Sequence, residues 1–475
     1  MKQLKTIFLV LSAALSLSCD NGIRGRVTCE GSGLGNVVVS DGYDCVLTKA
    51  NGRFRLESRP DARFLTVSTP AGYLPETEEK TVPIHFKKIT KDMRRYDFEL
   101  KKNEVSDNHH LFIVQADPQV NDTSQFSLYG EIADDIIEEI AGIRDSLDIF
   151  GLECGDIVWD TPHLYEPYKK CVSKLDMPIY RAIGNHDMTY GGRSFETSYS
   201  RFEEEFGPIY YSFNRGKAHY VILDNCFYID RDLLYIGYLD ERTLSWMEKD
   251  LSFVPEDALL FIVMHIPASY TKEILFNKPN MDELANCQGL FNLIRPWKTH
   301  LITGHTHFNH NVCFSDSLME HNTAASCGTW WLNRLCTDGT PRGYGIYDVK
   351  GTEVAWRYKG AGYPADYQFR CYPVGADPRN PEDFVVNVWN YDQEWTVEWR
   401  QRDDLFQPMI QFTGSDPEIA EAIESDLGHT YPWMKPAATD HLFKARPQGH
   451  DPIEILVTDR FGNRYQGTYQ CRKQN

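Results

Sequence analysis

The rhythm of apolar and polar positions changes twice along the chain. From about 23 to 100, apolar and polar residues alternate in short runs, as in "IRGRVTCEGSGLGNVVVSDGYDCVLTKANGRFRLESRP" and "RFLTVSTPAGY". Alternation with period two predicts half-buried strands. Gly31 to Gly35, Gly42 and Asn51-Gly52 mark the turns. The runs are too short for helices, so residues 20–103 are expected to form a small β-sandwich.

Near His109 the apolar runs become continuous: "LFIVQAD", "DIFGLECGD", "PIYRAIGNHD", "AHYVILDN", "ALLFIVMH" and "THLITGHTH". Helical patterns separate several of them. Phe126, Ile132, Ile136, Ile137, Ile140 and Ile143 recur at helical spacing. "YLDERTLSWMEKDL" gives another helix, whose Trp246 and Leu251 are read as core on its resemblance to a helix of a known family named below, and a further one falls near 282–294. Wholly apolar strands alternating with helices predict an α/β domain with its sheet buried on both faces, over 108–362. Beyond it, "FVVNVWN", "WTVEWRQ" and "IEILVTDRFGNRYQGTY" predict a second β-rich domain over 363–475.

Composition is that of a globular protein, 42% hydrophobic and 25% charged. The formal net charge of −19 repels polyanions, so no nucleic acid polymer is expected as a partner. A cation in a local site reverses that field for a single phosphate. Residues 1–19 read as a secretory signal: Lys2 and Lys5, an apolar stretch from Ile7 to Leu17, then small residues and Cys19. Ser18-Cys19 resembles a bacterial lipoprotein signal, although Ser16 stands where an aliphatic residue is usual. A lipid anchor on Cys19 is the expectation, with simple secretion as the alternative. Cys29 and Cys45 fall in one predicted domain, either as a pair or as two thiols.

The chemistry sits where the apolar runs end. The runs finish in Asp117 and Gln119, in Asp156, in Asn185, His186 and Asp187, in His265, and in His305 and His307. Layered α/β folds gather their sites at strand ends. Carboxylates, amide oxygens and imidazoles together suit divalent first-row metals. The set is too large for one ion in an open site, and a pair of ions sharing one carboxylate accounts for it better.

The ordered set D-x-Q, G-D-x-x-x-D, G-N-H-D, H and G-H-T-H resembles the calcineurin-like metallophosphoesterases. The resemblance implies a four-layer α/β/β/α sandwich, here flanked by two small β-rich domains, of which the first resembles transthyretin-like or carboxypeptidase-regulatory-like domains. It implies two divalent ions (Mn, Fe, Zn or Mg) and hydrolysis of a phosphomonoester or phosphodiester by a hydroxide bridging them. Asp117 and His307 would hold the first ion, Asp156 would bridge, and Asn185, His265 and His305 would hold the second. His186 would face the phosphate, with Asp187 orienting its ring.

One position departs from the family pattern. Gln119 stands where the first motif usually has histidine, and its amide oxygen is either a ligand or a hydrogen-bonding neighbour. Asp160 and Asp224 are expected to fix loops, and His109 and His110 to be solvated. The domain arrangement resembles exported Bacteroidetes-type proteins, which implies a periplasmic or outer-membrane location. The expected partner is a phosphorylated small-molecule, glycan or lipid substrate. A second function class stays open: an exported glycan- or partner-binding protein with a degenerate metal site, using Trp389, Trp395, Trp399 and Trp433.

Overall fold

The computed structural model describes residues 22–271 and 279–470, so the signal-like segment with Cys19 lies outside the described residues. The N-terminal region forms two facing sheets. One joins Gly22–Cys29 to Arg95–Lys102, Arg53–Glu57 and two short strands. The other orders Phe86–Lys88, Phe64–Ser68, Val38–Ser40 and Cys45–Leu47. Strict alternation in Arg53–Glu57 and Arg95–Lys102 sends Phe54, Leu56, Tyr96, Phe98 and Leu100 inward, against Val39, Leu65 and Val67 of the opposite sheet. Cys29 and Cys45 are both free thiols.

Two sheets build the central region. The first runs Ile179–Arg181, Asp148–Glu153, His109–Gln115, Gly343–Lys350 and Glu353–Gly360. Its first three strands are parallel and the last two antiparallel. The second runs Tyr211–Arg215, Ala218–Ile222, Leu259–Val263, Lys298–Thr303, Leu318–Asn322 and His310–Ser315, parallel in the middle and antiparallel at both edges. Asp148–Glu153 and Leu259–Val263 are buried at every residue, which explains their lack of alternation.

An aromatic core fills the space between the sheets. Phe112 stacks on Tyr347 at 4.7 Å, and Tyr220 on Phe261 at 4.8 Å. Phe112 meets Phe261 edge-on at 5.0 Å. Helices cover the outer faces: Gln125–Ile140 and Tyr165–Val172 on the first sheet, Glu241–Leu251 and Cys287–Ile294 on the second. Asp240 starts the Glu241 helix by accepting from Thr243 N, and Trp246 and Leu251 are buried as expected of core residues. Ile143 differs from expectation. The Gln125 helix ends at Ile140, and Ile143 lies beyond it, exposed on a turn.

His110 also differs from expectation. It is buried, with Nε2 bonded to Tyr220 Oη at 2.6 Å and Nδ1 to the Asp107 carbonyl at 2.7 Å. It thus links the two sheets, as does the buried Arg215–Asp148 ion pair at 3.0 Å.

The last region is a sandwich of two four-stranded antiparallel sheets. Trp395 and Trp399 lie in its core and Trp389 is fully buried nearby, whereas Trp433 is 51% exposed. Three of these four tryptophans are therefore spent on packing, and of the four Trp433 is left exposed. Both outer regions are bonded to the central one. Trp246 Nε1 donates to Ser40 Oγ at 3.0 Å, and Asn390 N donates to Asn309 Oδ1 at 2.7 Å.

Several buried histidines tie stability to pH. Burial lowers His85 to about 3, His110 to about 4 and His300 to about 3. The unfolded chain takes up these protons near pH 6.5 and the folded chain does not, so stability is full above about 6.5 and falls as pH drops toward 4. His85 packs against Tyr211 at 4.3 Å, where the N-terminal region meets the central one. We expect unfolding midpoints to fall between pH 7.5 and 5. In His85→Phe the slope should be shallower by about one proton, ~1.4 kcal/mol per pH unit. Parallel slopes for the two proteins would refute this account.

Candidate metal centre

Every predicted ligand lies just beyond the end of a parallel strand. Asp117 and Gln119 follow His109–Gln115, Asp156 follows Asp148–Glu153, and Asn185 follows Ile179–Arg181. His265 follows Leu259–Val263, and His305 and His307 follow Lys298–Thr303. The two sheets thus bring their carboxyl-terminal ends to one place, and the side chains meet there. The chain bends sharply to do this. Asp117, Gln119, Asp156, His305 and His307 all have positive φ, from 40° to 73°. Each such backbone costs roughly 1–3 kcal/mol and persists only where its surroundings enforce it.

The motif glycines answer to the same crowding. A Cβ on Gly184 would lie 2.2 Å from Asp156 N and Oδ1. One on Gly304 would lie 2.7 Å from Asp117 Oδ2. No side chain fits at either point, so the carboxylates can approach the backbone closely.

Asp156 is the hub. Its Oδ1 accepts from His186 N at 2.8 Å, its Oδ2 accepts from Gln119 Nε2 at 2.8 Å, and Oδ1 lies 3.4 Å from His265 Nε2. His265 Nδ1 sits 2.6 Å from the Cys154 carbonyl, which can only accept, so Nδ1 carries the proton. Nε2 is therefore the nitrogen turned toward the site. Nε2 lies 3.0 Å from Asn185 Oδ1 and 3.0 Å from His305 Nδ1. On the other side, Asp117 Oδ2 accepts from His305 N at 2.9 Å, and Asp117 Oδ1 lies 3.6 Å from His307 Nε2.

This donor set fits divalent cations. Asp156, His265 and His305 bring ligand atoms within 4.8 Å of one another. Among the described residues, Asp117 Oδ1 and Gln119 Oε1 are buried without a hydrogen-bond partner, a costly state that a cation relieves. Gln119 therefore plays two parts: its amide nitrogen steadies Asp156, and its oxygen remains free to ligate. The electrostatics reflect the crowding. Burial pushes Asp117 up to about 7, against the positive charge of His265 and with the negative charge of Asp156.

Two neighbours exchange the roles expected of them. Asp187 does not orient the His186 ring. Its carboxylate accepts from Ile157 N at 3.1 Å, Gly184 N at 3.0 Å and Tyr165 Oη at 3.0 Å, which locks the second and third motif loops together. A carboxylate surrounded by that many donors is held in place and has no reach toward the ring. Asp160, expected to fix a loop, supplies the ring partner instead: its Oδ1 lies 3.1 Å from His186 Nδ1. The signal was present as the last residue of G-D-x-x-x-D. Asp224 does fix its own turn, accepting from Cys226 N at 2.9 Å.

Other histidines stay outside the cluster. His310 contacts the Tyr270 carbonyl and Asp440, and His321 stacks on His300 in the buried interior. Tyr190 Oη donates to the Asn185 carbonyl at 2.9 Å and so braces the third motif. Trp331 Nε1 donates to the Pro118 carbonyl at 2.8 Å and braces the first. Trp330 stacks on His307 at 4.3 Å, and Trp159 packs edge-on against His186 at 5.7 Å.

Residues 21–103 match the N-terminal domain of calcineurin-like phosphoesterase, and residues 320–465 match its C-terminal domain. The chain is 26% identical over 175 residues to a 3',5'-cyclic-nucleotide phosphodiesterase of Nostoc sp., a match covering 36% of this chain and 60% of that one. Among solved structures it resembles a dimetal phosphatase from Danio rerio, with 12% identity, TM-score 0.39, and coverage of 53% of this chain and 96% of the other. It also resembles a purple acid phosphatase from yellow lupin seeds, with 12% identity, TM-score 0.40, and coverage of 69% and 67%. At both ends of its length the chain is thus similar to the calcineurin-like phosphoesterases.

Proposed function

We propose that the chain is a metal-dependent phosphoesterase that hydrolyses a monoester or diester of a phosphorylated small molecule. One observation carries the reading. Asn185 Oδ1, His305 Nδ1 and Asp156 Oδ1 converge on His265 Nε2, at 3.0 Å, 3.0 Å and 3.4 Å, and the ligand atoms of Asp156, His265 and His305 all lie within 4.8 Å of one another. Ligand atoms of these types gathered in this way suit a cation between them.

Asp156, Asn185, His265 and His305 would hold one ion. Asp117 and His307 would hold the other, with Asp156 reaching both and Gln119 Oε1 beside them. Divalent ions bound there neutralise phosphate charge and acidify a coordinated water near neutral pH. The remaining work belongs to the chain. Asp160 holds His186 Nδ1, so Nε2 is the atom free to give a proton to the leaving oxygen. Asp187 keeps the loops carrying Asp156 and Asn185 in register through Ile157 N and Gly184 N.

Two measurements test this reading. After loading with Mn and desalting, the wild-type protein should retain two ions per chain by elemental analysis. Asp156→Asn and His265→Ala should retain fewer, with affinity reduced at least about tenfold. Equal metal content in all three would remove the proposed ligand set.

The second measurement concerns the proton. His186→Ala should keep its metal and lose roughly 10²–10⁴ in kcat toward an alkyl phosphate. The loss should be much smaller for 4-nitrophenyl phosphate, whose leaving oxygen needs no proton. Asp160→Asn should show the same dependence on leaving group, more weakly. An equal loss for both esters would show that His186 does not act as the acid. Parallel assays with bis(4-nitrophenyl) phosphate would decide between monoester and diester.

A further inference from the structure

Three tryptophans from distant parts of the chain meet at the rim of the metal centre. Trp159 lies in the second motif loop, Trp330 follows the Leu318–Asn322 strand, and Trp433 comes from the C-terminal region. Trp159 and Trp330 are 6.4 Å apart at 45°, Trp159 and Trp433 are 6.2 Å apart at 90°, and Trp330 and Trp433 are 4.7 Å apart at 88°. At its inner end the cluster touches the reacting groups, with Trp330 stacked on His307 and Trp159 against His186. At its outer end Trp433 is 51% exposed.

The cluster is mounted rigidly. Trp330 and Trp331 both have positive φ, 48° and 66°, a strained conformation for two bulky residues in succession. Trp331 N donates to the Cys327 carbonyl at 2.8 Å, and its indole donates to the Pro118 carbonyl at 2.8 Å. Behind Trp433, the buried Met434 packs with Leu335, Ile419 and Ile423, and Trp330 and Tyr431 lean on that group. Rings held this firmly and left open beside a reaction centre form a preorganised surface for the organic part of a substrate.

We infer that Trp159, Trp330 and Trp433 form a subsite for a planar aromatic ring, and that the substrates are phosphoesters carrying a nucleobase. The inference rests on the phosphoesterase reading and names its substrate class. The ring geometry selects the ligand. Rings in mutual contact leave no central space, which excludes a cage for an ammonium group. Trp433 stands perpendicular to both neighbours, so the cluster presents corners. A flat ring fits a corner by stacking on one indole and meeting the edge of the next. Position then follows from chemistry. His186 faces the leaving oxygen, so a base joined through its sugar to that oxygen lies on the side of His186 where Trp159 stands.

The test uses the full chain loaded with Mn. Intrinsic tryptophan fluorescence is titrated with adenosine and with ribose, neither of which carries phosphate. Hydrolysis of AMP is compared with that of ribose 5-phosphate and glycerol 3-phosphate. Adenosine should quench and ribose should not, and AMP should be the preferred ester. Trp433→Ala should raise KM for AMP roughly tenfold, the scale of one lost base stack, and should raise the KM for ribose 5-phosphate much less. Trp433→Phe keeps a ring and should restore most of the preference.

Phosphate release without preference for AMP, or equal losses on all esters in Trp433→Ala, would overturn the inference and leave the phosphoesterase standing. Preference for the sugar or glycerol ester would overturn it as well. Quenching by adenosine that Trp433→Ala weakens, with no ester hydrolysed under any metal, would support the subsite and sink the phosphoesterase reading instead.

Discussion

The burial of Asp156 among the other ligand atoms is the constraint on which the rest of the site depends. A carboxylate withdrawn from water is costly unless donors or cations surround it. Here two donors come from the chain, His186 N and Gln119 Nε2, and the remaining directions open toward His265 and Asn185. Satisfying that one group requires the second and third motifs to touch. It requires Gly184 to have no side chain, and it requires several residues to accept left-handed backbone. The two sheets converge because their strand ends must deliver these groups to one volume.

The frame around this point is stiff in a specific way. Large aromatic rings fill the space between the sheets, and their stacked and edge-on contacts restrict sliding of one sheet over the other. His110–Tyr220 and Arg215–Asp148 add directional links between the same two layers. A site assembled from both sheets needs this, since its ligand atoms are fixed only as well as the sheets are fixed to each other. Asp187 does a similar job at shorter range. It gives up contact with the neighbouring imidazole in order to knit two loops.

What could be read from the chain was what proceeds in order along it. Uniformly apolar runs marked buried strands because both of their faces are covered, and the polar residues ending those runs marked the strand ends that meet. Trp246 and Leu251 were placed in the core by the likeness of their segment to a family helix, and both are buried. What could not be read depends on direction or on meeting across space. Whether Asp160 or Asp187 turns toward His186 is decided by backbone N–H groups that no motif displays. His110 looked like the polar start of a strand, and it is buried because the second sheet covers it with Tyr220. The tryptophan cluster joins segments far apart in sequence, so no local pattern could announce it. The helix ending before Ile143 shows that periodicity continues in a sequence past the point where packing stops supporting it.

The loop carrying His305 and His307 also bears Asn309, whose oxygen accepts from Asn390 N and whose own N–H donates to Asp338 Oδ2. Asp338 Oδ2 in turn meets His441 Nε2 at 3.1 Å, and its carbonyl accepts from Asn387 Nδ2. Two metal-type histidines are thus moored, a few residues away, to a sandwich that contributes none of the strands beneath the site. The C-terminal region is therefore not an interchangeable attachment. Replacing it with another fold would remove the bonds that Asn390, Asn387 and His441 make to the last motif loop and to Asp338.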